Sequence, residues 1–358
     1  MSIPTLDGII SETITTERIK SRLLFSGSKE NTPVLFLHGN WSCATWWEGT
    51  MVTLPDGYWG IAPDMRGYGE ADFEKKINAA TGTKDWVDDA VALLEALEIK
   101  KAHVVGCSLG GYVLWRFMIE HPDKINSITM VNPGSPFGFS GTKDILGTLC
   151  FDDFAGTGGG VSNMEMINRV SDGDRGTDSA ISPRMSMRQL FISPFIPDRE
   201  EELLTSVLNT HIGDKDIPGD YINSPNWPYV APGKWGPHNA GSPKYACRVD
   251  ELFNGKIKIP VLWIRGSHDQ VVSDESTSDV GYLGKLGFIP DWPGEDVYPP
   301  QPMISQTRYV LEKYEAAGGY FKEIVIEEAA HIPFIEKLDE FNSVFHTFLE
   351  NPQEFTSS

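Results

Sequence analysis

Cysteine is scarce in this chain, whose 358 residues include four, and no two of them have the short spacing of metal-ligand pairs. The four are Cys43, Cys107, Cys150 and Cys247. A few widely separated cysteines are typical of a reducing compartment, where thiols stay unpaired. We therefore predict a cytoplasmic protein with reduced thiols and no bound metal.

Positive charge and long apolar runs are also in short supply. Lysine and arginine number 30 against 50 aspartates and glutamates, a net charge of −20, which would repel nucleic acid or an anionic membrane. No apolar stretch is long enough to cross a bilayer. Residues 1–7 lack the basic and apolar regions of a secretory signal. We expect no nucleic-acid or membrane partner, and the oligomeric state stays open.

The chain does contain an alternation of short apolar runs with helical patterns. The runs are 34–37, 58–62, 103–105, 125–131, 260–264 and 323–326. Continuous apolar runs of this length suit strands that are buried on both faces, and the helical spacing in 84–97 predicts a crossover helix. The sequence therefore predicts an α/β fold with a mostly parallel, twisted sheet flanked by helices.

The middle of the chain departs from this alternation, because glycine, proline, aspartate and tryptophan accumulate there. We predict a core in two parts, 1–133 and 259–358, separated by an insertion over 134–258. The insertion is expected to be a helical, loop-rich cap over the sheet. A second irregular stretch, 278–303, lies inside the later part of the core, and loops of that length are usually functional or disordered.

Ser108 has the strongest chemical pattern in the sequence. It follows the apolar run 103–105, precedes a helical pattern, and is flanked at two residues on each side by Gly106 and Gly110. A sharp strand-to-helix turn has no room for a Cβ at those two positions, and it sets the serine hydroxyl at a helix N-terminus. Backbone N–H groups there face any oxyanion that forms at the serine. Ser108 is the candidate nucleophile.

Two further turns follow early apolar runs, His38-Gly39-Asn40-Trp41 and Asp64-Met65-Arg66-Gly67. With the Ser108 turn they resemble those of the α/β-hydrolase family. The resemblance implies an oxyanion hole formed by the backbone N–H groups of Asn40 and Leu109, with Trp41 as the alternative to Asn40. It also implies an architectural role for the second turn, where we expect salt-bridged charges and no acid–base pair.

A nucleophilic serine needs a base, and the base needs an orienting acid. In the α/β-hydrolase family these follow the serine in the order acid, then histidine. His331, after the last apolar run, matches the family's histidine, and Asp269, after the run 260–264, matches its acid. Asp274 and Glu275 are the alternatives for the acid.

The resemblance implies a serine hydrolase that needs no cofactor. The family's haloalkane dehalogenases and epoxide hydrolases use an aspartate at the nucleophile position, where this chain has Ser108. Hydrolysis of a carboxylic ester or lactone through an acyl-enzyme is therefore the expected activity. Hydrolysis of a C–C or amide bond on the same triad remains open, as does a receptor that binds a small ligand without turnover.

Aromatic residues are frequent around the expected site. Trp41, Trp46, Trp227 and Trp235 are the candidate substrate-binding residues, since small-molecule pockets have mostly apolar walls. Together with the negative net charge, these side chains predict a small-molecule substrate that is uncharged and fairly bulky.

Overall fold

The computed structural model describes residues 3–357, and its framework is a sheet of eight strands. The strands of the chain are β1 (Ile10–Thr15), β2 (Lys20–Gly27), β3 (Thr32–Leu37), β4 (Tyr58–Pro63), β5 (Ala102–Cys107), β6 (Ile125–Val131), β7 (Ile212–Gly213), β8 (Ile217–Pro218), β9 (Tyr221–Asn223), β10 (Val230–Pro232), β11 (Pro260–Gly266) and β12 (Tyr320–Ile326).

The large sheet has the strand order β1-β2-β4-β3-β5-β6-β11-β12. The pairs from β4 to β12 are all parallel, whereas β1 and β2 form an antiparallel hairpin at one edge. Each predicted apolar run lies in one of its strands. The prediction of a mostly parallel α/β sheet is confirmed.

Thirteen α-helices accompany the strands in the described part of the chain. They are α1 (Glu48–Val52), α2 (Lys84–Ala96), α3 (Leu109–Glu120), α4 (Met164–Ser171), α5 (Pro183–Arg188), α6 (Glu200–Leu208), α7 (Pro237–Ala240), α8 (Val249–Asn254), α9 (Val280–Lys285), α10 (Met303–Ala316), α11 (Pro333–Glu336), α12 (Leu338–Glu350) and α13 (Pro352–Ser357). None of the helices within residues 3–357 combines the length and the apolar character that a membrane span requires.

The core lies on both faces of the sheet, as the continuous apolar strands require. In β3, Leu35 and Leu37 pack on the face that α2, α3 and α10 cover, whereas Val34 and Phe36 pack on the face that α1 and α12 cover. This alternation follows from the two-residue period of a strand. Helix α12 buries Phe341, Phe345 and Phe348 at helical spacing against the second face. The two apolar layers hold the carboxyl ends of β5, β11 and β12 at one edge of the sheet.

Between β6 and β11 the chain contributes no strand to the large sheet, and helices α4 to α8 occupy that interval. Two small ladders also lie there, a parallel one of β7 with β8 and an antiparallel one of β9 with β10. The sequence did not predict these ladders, because strands of two or three residues are too short to show a period. The boundaries 134–258 for a separate cap remain a prediction.

Candidate active site

Ser108 occupies the sharp turn between the end of β5 and the start of α3. Its backbone has φ 52° and ψ −112°, a conformation that costs a non-glycine residue about 1–3 kcal/mol and persists only where its surroundings impose it. Three backbone hydrogen bonds do so. Ser108 N donates to Val131 O at 3.0 Å, and Ser108 O accepts from Tyr112 N at 2.8 Å and from Gly134 N at 3.1 Å.

The positions of the glycines around Ser108 leave no room for a side chain. A Cβ on Gly106 would overlap the backbone of Gly110, and a Cβ on Gly110 would overlap the carbonyl of Leu37. A Cβ on Gly39 would lie 3.3 Å from the Ser108 Cβ, so the turn after β3 also passes close to the serine. The two turns are packed backbone to backbone, which fixes Ser108 against the loop at 38–41.

His331 and Asp269 are brought together from the loops that follow β12 and β11. His331 Nδ1 lies 2.9 Å from Asp269 Oδ2, and both side chains are almost completely buried. Asp269 Oδ1 accepts hydrogen bonds from Val271 N at 2.8 Å and from Val272 N at 3.1 Å. With Nδ1 facing the carboxylate, the imidazole has Nε2 left to take up a proton.

The alternative acids have other partners. Asp274 accepts hydrogen bonds from Ser305 N at 3.0 Å and from Ser305 Oγ at 2.6 Å. Glu275 is an exposed residue that pairs with Lys285 at 3.4 Å. Of the three candidate carboxylates, Asp269 is the one that contacts His331.

The loop of His331 is held by the side chains of Asn132 and Glu336, whose contacts the sequence did not predict. Asn132 Nδ2 donates to His331 O at 2.7 Å, and Asn132 Oδ1 accepts from Gly266 N at 3.2 Å. Glu336 accepts from Ala330 N at 2.7 Å and from Ile192 N at 2.6 Å. The available signal for Asn132 was a polar residue directly after the apolar run 125–131. Its partners lie 134 and 199 residues away, so the sequence could not identify them.

The candidate oxyanion donors lie at two places, the loop after β3 and the start of α3. Leu109 is the first residue of α3, where backbone N–H groups have no partner within the helix. Trp41 N donates at 3.1 Å to the side-chain oxygen of Asn40. Because that N–H is engaged, the geometry favours Asn40 over Trp41 as the second donor.

His38 supports the same loop. Its Nε2 accepts from Met65 N at 2.9 Å, and its Nδ1 lies 2.8 Å from Gly39 O. Burial lowers the pKa of His38 to about 4, so the ring is neutral near pH 7. Two hydrogen bonds on a neutral buried ring hold the loop in place.

The turn after β4 contains two buried ion pairs, each with a partner outside the turn. Arg22 Nε donates to Asp64 Oδ2 at 3.0 Å, and Arg66 Nη2 donates to Asp89 Oδ1 at 2.6 Å. Asp64 also accepts from Ala44 N at 3.0 Å, which ties this turn to the chain that follows the oxyanion loop. The expected salt-bridged turn is therefore present, although Asp64 and Arg66 do not pair with each other.

A cavity of about 500 Å³ lies over the turn of Ser108. Ser108, His331, Asn40 and Leu109 line it from the core side, together with Trp41, Trp46 and Trp47. Side chains of the 134–258 segment, such as Phe139 and Met187, line the opposite side. No Lys, Arg, Asp or Glu among residues 3–357 contributes to its wall.

Two of the four predicted substrate-binding tryptophans, Trp227 and Trp235, do not line this cavity, whereas Trp41 and Trp46 do. The indole of Trp227 donates to Pro290 O at 2.8 Å and packs edge-on against Tyr298 at 5.0 Å between ring centroids. Trp235 lies beneath the ammonium group of Lys215, 4.8 Å from the ring centroid. Trp227 therefore anchors the 278–303 loop to the insertion. Helical or strand periodicity is too weak in this region to show which aromatic side chains face inward.

None of the four cysteines is paired, and the thiol nearest the oxyanion loop is shielded. Cys43 is completely buried, and burial raises the pKa of its thiol to about 12. Cys107 is buried beneath Ser108, where burial also raises its pKa. A thiol reacts as its thiolate, so neither group has the character of a nucleophile.

Comparison with known proteins agrees with this architecture. Residues 32–157 match the model of the alpha/beta hydrolase fold. The chain is 31% identical over 134 residues to 2-hydroxymuconate semialdehyde hydrolase of Pseudomonas sp. (strain CF600), a match that spans 37% of this chain and 46% of that protein. It is 26% identical over 372 residues to epoxide hydrolase 1 of Siraitia grosvenorii, covering 96% of this chain and 99% of that one.

A solved serine hydrolase from the polyaromatic hydrocarbon-degrading bacterium Cycloclasticus zankles superposes over 96% of this chain and 98% of its own. The TM-score is 0.61 at 18% sequence identity, a likeness of fold. The chain therefore has the α/β-hydrolase fold.

Proposed function

We propose that this protein is a serine hydrolase that cleaves a carboxylic ester or lactone of an uncharged, fairly bulky small molecule. The observation that carries the proposal is the placement of Ser108 and His331 in the wall of one cavity, with His331 hydrogen-bonded to the buried Asp269 at 2.9 Å. A serine, a histidine and an acid at strand ends supply a nucleophile, a base and an orienting group.

The proposed reaction follows from these roles. Ser108 Oγ attacks the substrate carbonyl while His331 Nε2 takes its proton, and Asp269 stabilises the imidazolium that forms. The backbone N–H groups of Asn40 and Leu109 receive the oxyanion of the tetrahedral intermediate. The alcohol leaves with the proton from His331, and water activated by the same imidazole releases the acid from Ser108.

Some relatives of this chain are named epoxide hydrolases. The family resemblance implies an aspartate at the nucleophile position of epoxide hydrolases, and this chain has Ser108 there. A serine alkoxide forms an ester with an acyl group, which suits a carbonyl substrate.

A second candidate is C–C bond hydrolysis, favoured by the similarity to 2-hydroxymuconate semialdehyde hydrolase. A muconate carries a carboxylate, and a buried carboxylate requires a cationic partner. The wall of this cavity offers no Lys or Arg from residues 3–357. The uncharged wall therefore supports a neutral substrate, and with it the ester or lactone proposal.

The first test is active-site labelling. A fluorophosphonate probe should label Ser108 in the wild type and should not label Ser108→Ala. The same variant should hydrolyse p-nitrophenyl esters with a kcat lower by about 10⁴-fold or more. Circular dichroism checks that the variant is folded. A label found on another residue by peptide mass spectrometry would contradict the assignment, and labelling of Ser108 without turnover of any ester or lactone would favour a ligand-binding protein.

The second test addresses substrate charge. We expect kcat/KM for a bulky neutral ester to exceed that for a matched ester bearing a carboxylate by about 10-fold or more, because the cavity cannot pair the charge. Measurements at low and high salt separate two causes of this preference. Salt screens the repulsion by the net charge of −20, but it does not supply a cationic partner for the carboxylate inside the cavity. Equal kcat/KM values for the neutral and the carboxylate-bearing ester, at both low and high salt, would remove charge selection from the proposal.

A further inference from the structure

A chain of hydrogen bonds leads from the oxyanion loop into the 134–258 segment. Its members are Asn40, His238 of α7 and Ser162, and all three line the cavity over Ser108. Their side chains are separated by 198 and 76 residues along the sequence. The direction of each hydrogen bond in this chain can be derived from one backbone group.

That backbone group is the N–H of Trp41, which can only donate. It lies 3.1 Å from Asn40 Oδ1, and the hydroxyl of Tyr68 donates to the same oxygen at 2.8 Å. The oxygen of the Asn40 amide must therefore face Trp41, since an amide nitrogen there would place two donors against each other. This orientation turns Asn40 Nδ2 toward His238.

Asn40 Nδ2 lies 3.0 Å from His238 Nε2. Because an amide nitrogen only donates, Nε2 accepts, and the proton of the neutral imidazole is on Nδ1. His238 Nδ1 lies 2.7 Å from Ser162 Oγ and so donates to it. The Ser162 oxygen is thus used as an acceptor, and its own proton points away from His238.

No residue in the described part of the chain accepts the proton of Ser162 Oγ. Ser162 is half-buried in a cavity whose wall is largely apolar and uncharged. A bound substrate that displaces solvent without accepting this proton would leave the donor buried and unused, which costs free energy. Hydrogen bonds in series polarise one another, so a hydroxyl that accepts from His238 becomes a better donor. A substrate group that accepts this hydrogen bond would be distinguished from one that cannot.

We propose that Ser162 is a specificity-determining residue, which recognises a second, non-scissile oxygen of the substrate through its hydroxyl, oriented by His238 and Asn40. The substrate class is then a neutral ester or lactone that also carries an ether, ketone or further ester oxygen. This inference rests on the proposed serine hydrolase function and names its substrate more closely.

An oxygen scan tests the inference. The probes are p-nitrophenyl heptanoate and analogues in which one methylene of the acyl chain after another is replaced by an ether oxygen, with a parallel series of hexyl esters scanned in the alcohol. Each kcat/KM is divided by the rate of alkaline hydrolysis of the same ester. We expect the wild type to favour one analogue over its parent by about 3- to 10-fold, the value of one net hydrogen bond.

Ser162→Ala should bring that preference to about 1, whereas Ser162→Thr, which keeps the hydroxyl, should retain it. His238→Phe should reduce the preference because the hydroxyl loses the group that orients it. The matched control is Ser186→Ala, another serine of the cavity wall, which should leave the preference in place.

Two results would overturn the inference: equal preferences in the wild type and Ser162→Ala, or no preference at any scanned position. Both differ from failure of the proposed function, in which the wild type cleaves no ester of either series and a fluorophosphonate leaves Ser108 unlabelled. That outcome would remove this inference as well.

Discussion

The carboxylate of Asp269 makes three hydrogen bonds, and their arrangement gives each oxygen a separate role. Oδ1 accepts from the backbone N–H groups of Val271 and Val272, and Oδ2 faces His331 Nδ1. The two backbone donors orient the carboxylate, so that its second oxygen selects the tautomer of the imidazole. A neutral amide in place of the carboxylate would still accept from the N–H groups of Val271 and Val272, but it would donate a hydrogen bond to His331 Nδ1 instead of accepting one.

Asp269→Asn should therefore leave the protein folded and lower kcat by about 10⁴-fold, by analogy with serine proteases. With the asparagine oxygen held by Val271 and Val272, its NH₂ group donates to His331 Nδ1. The proton then moves to Nε2, which can no longer accept from Ser108. Steady-state kinetics with a p-nitrophenyl ester measures the loss, and the near-ultraviolet circular dichroism spectrum should be retained.

The control at the same scale is Asp274→Asn, since Asp274 binds the N-terminal turn of α10 through Ser305. We expect kcat to change less than about 3-fold, because no hydrogen bond of His331 is touched. A larger loss in Asp274→Asn than in Asp269→Asn would reverse the assignment of the acid.

The junction of β5 and α3 shows how an element boundary creates the site. Two residues around Ser108 have no side chain, and this lets the helix begin directly against the backbone of β3. Gly110 lies where a Cβ would overlap the carbonyl oxygens of Leu37 and His38. The contact is with backbone on both sides, so neither neighbour can rotate away as a side chain would.

Gly110→Ala should destabilise the protein by about 2 kcal/mol or more and lower kcat by about 100-fold, because α3 must shift and Ser108 shifts with it. Thermal unfolding and p-nitrophenyl ester kinetics measure the two effects. The control is Gly49→Ala, at a glycine within α1. A Cβ on Gly49 would lie 3.8 Å from the Leu338 side chain, an ordinary contact distance, so stability should be unchanged or slightly higher. Equal behaviour of the two variants would show that the junction tolerates a side chain.

Three histidines distributed over the whole molecule are buried or half-buried and neutral. Burial lowers the pKa values of His38, His103 and His238 to about 4, from an ordinary value of 6.5. Between these two values the unfolded chain binds protons that the folded chain does not. The free energy of unfolding therefore falls as the pH drops from about 6.5 to about 4.

His103 allows this to be measured away from the cavity, because its ring lies in β5 with Nδ1 2.7 Å from Ser127 Oγ. From pH 7 to pH 5 we expect His103→Gln to lose about 2 kcal/mol less stability than the wild type. Urea unfolding at the two pH values measures the difference. The exposed His268 gives the control His268→Gln, which should keep the wild-type pH dependence, and a parallel fall in all three proteins would contradict the role of His103.

The turns at the strand ends and the 134–258 segment differ in how far the sequence could predict them. The turns at Ser108, Asp269 and His331 each directly follow an apolar run, and parallel strands bring such turns to one edge of the sheet. Their proximity could therefore be expected from local patterns. The small β7–β10 ladders and the packing of Trp227 and Trp235 could not, since the 134–258 segment lacks a clear period and its contacts depend on distant partners.

What the sequence by itself determined is the α/β class, the positions of the strands along the chain and the candidate residues at strand ends. These depend on patterns within a few residues of one another, namely strand runs, helix spacing and glycines at a tight turn. Only the tertiary structure decided which tryptophans line the cavity, that no charged side chain of residues 3–357 lies in its wall, and that Asn40 reaches Ser162 through His238. Those features are contacts between residues tens to hundreds of positions apart, and burial and hydrogen-bond geometry select them only once the chain has folded.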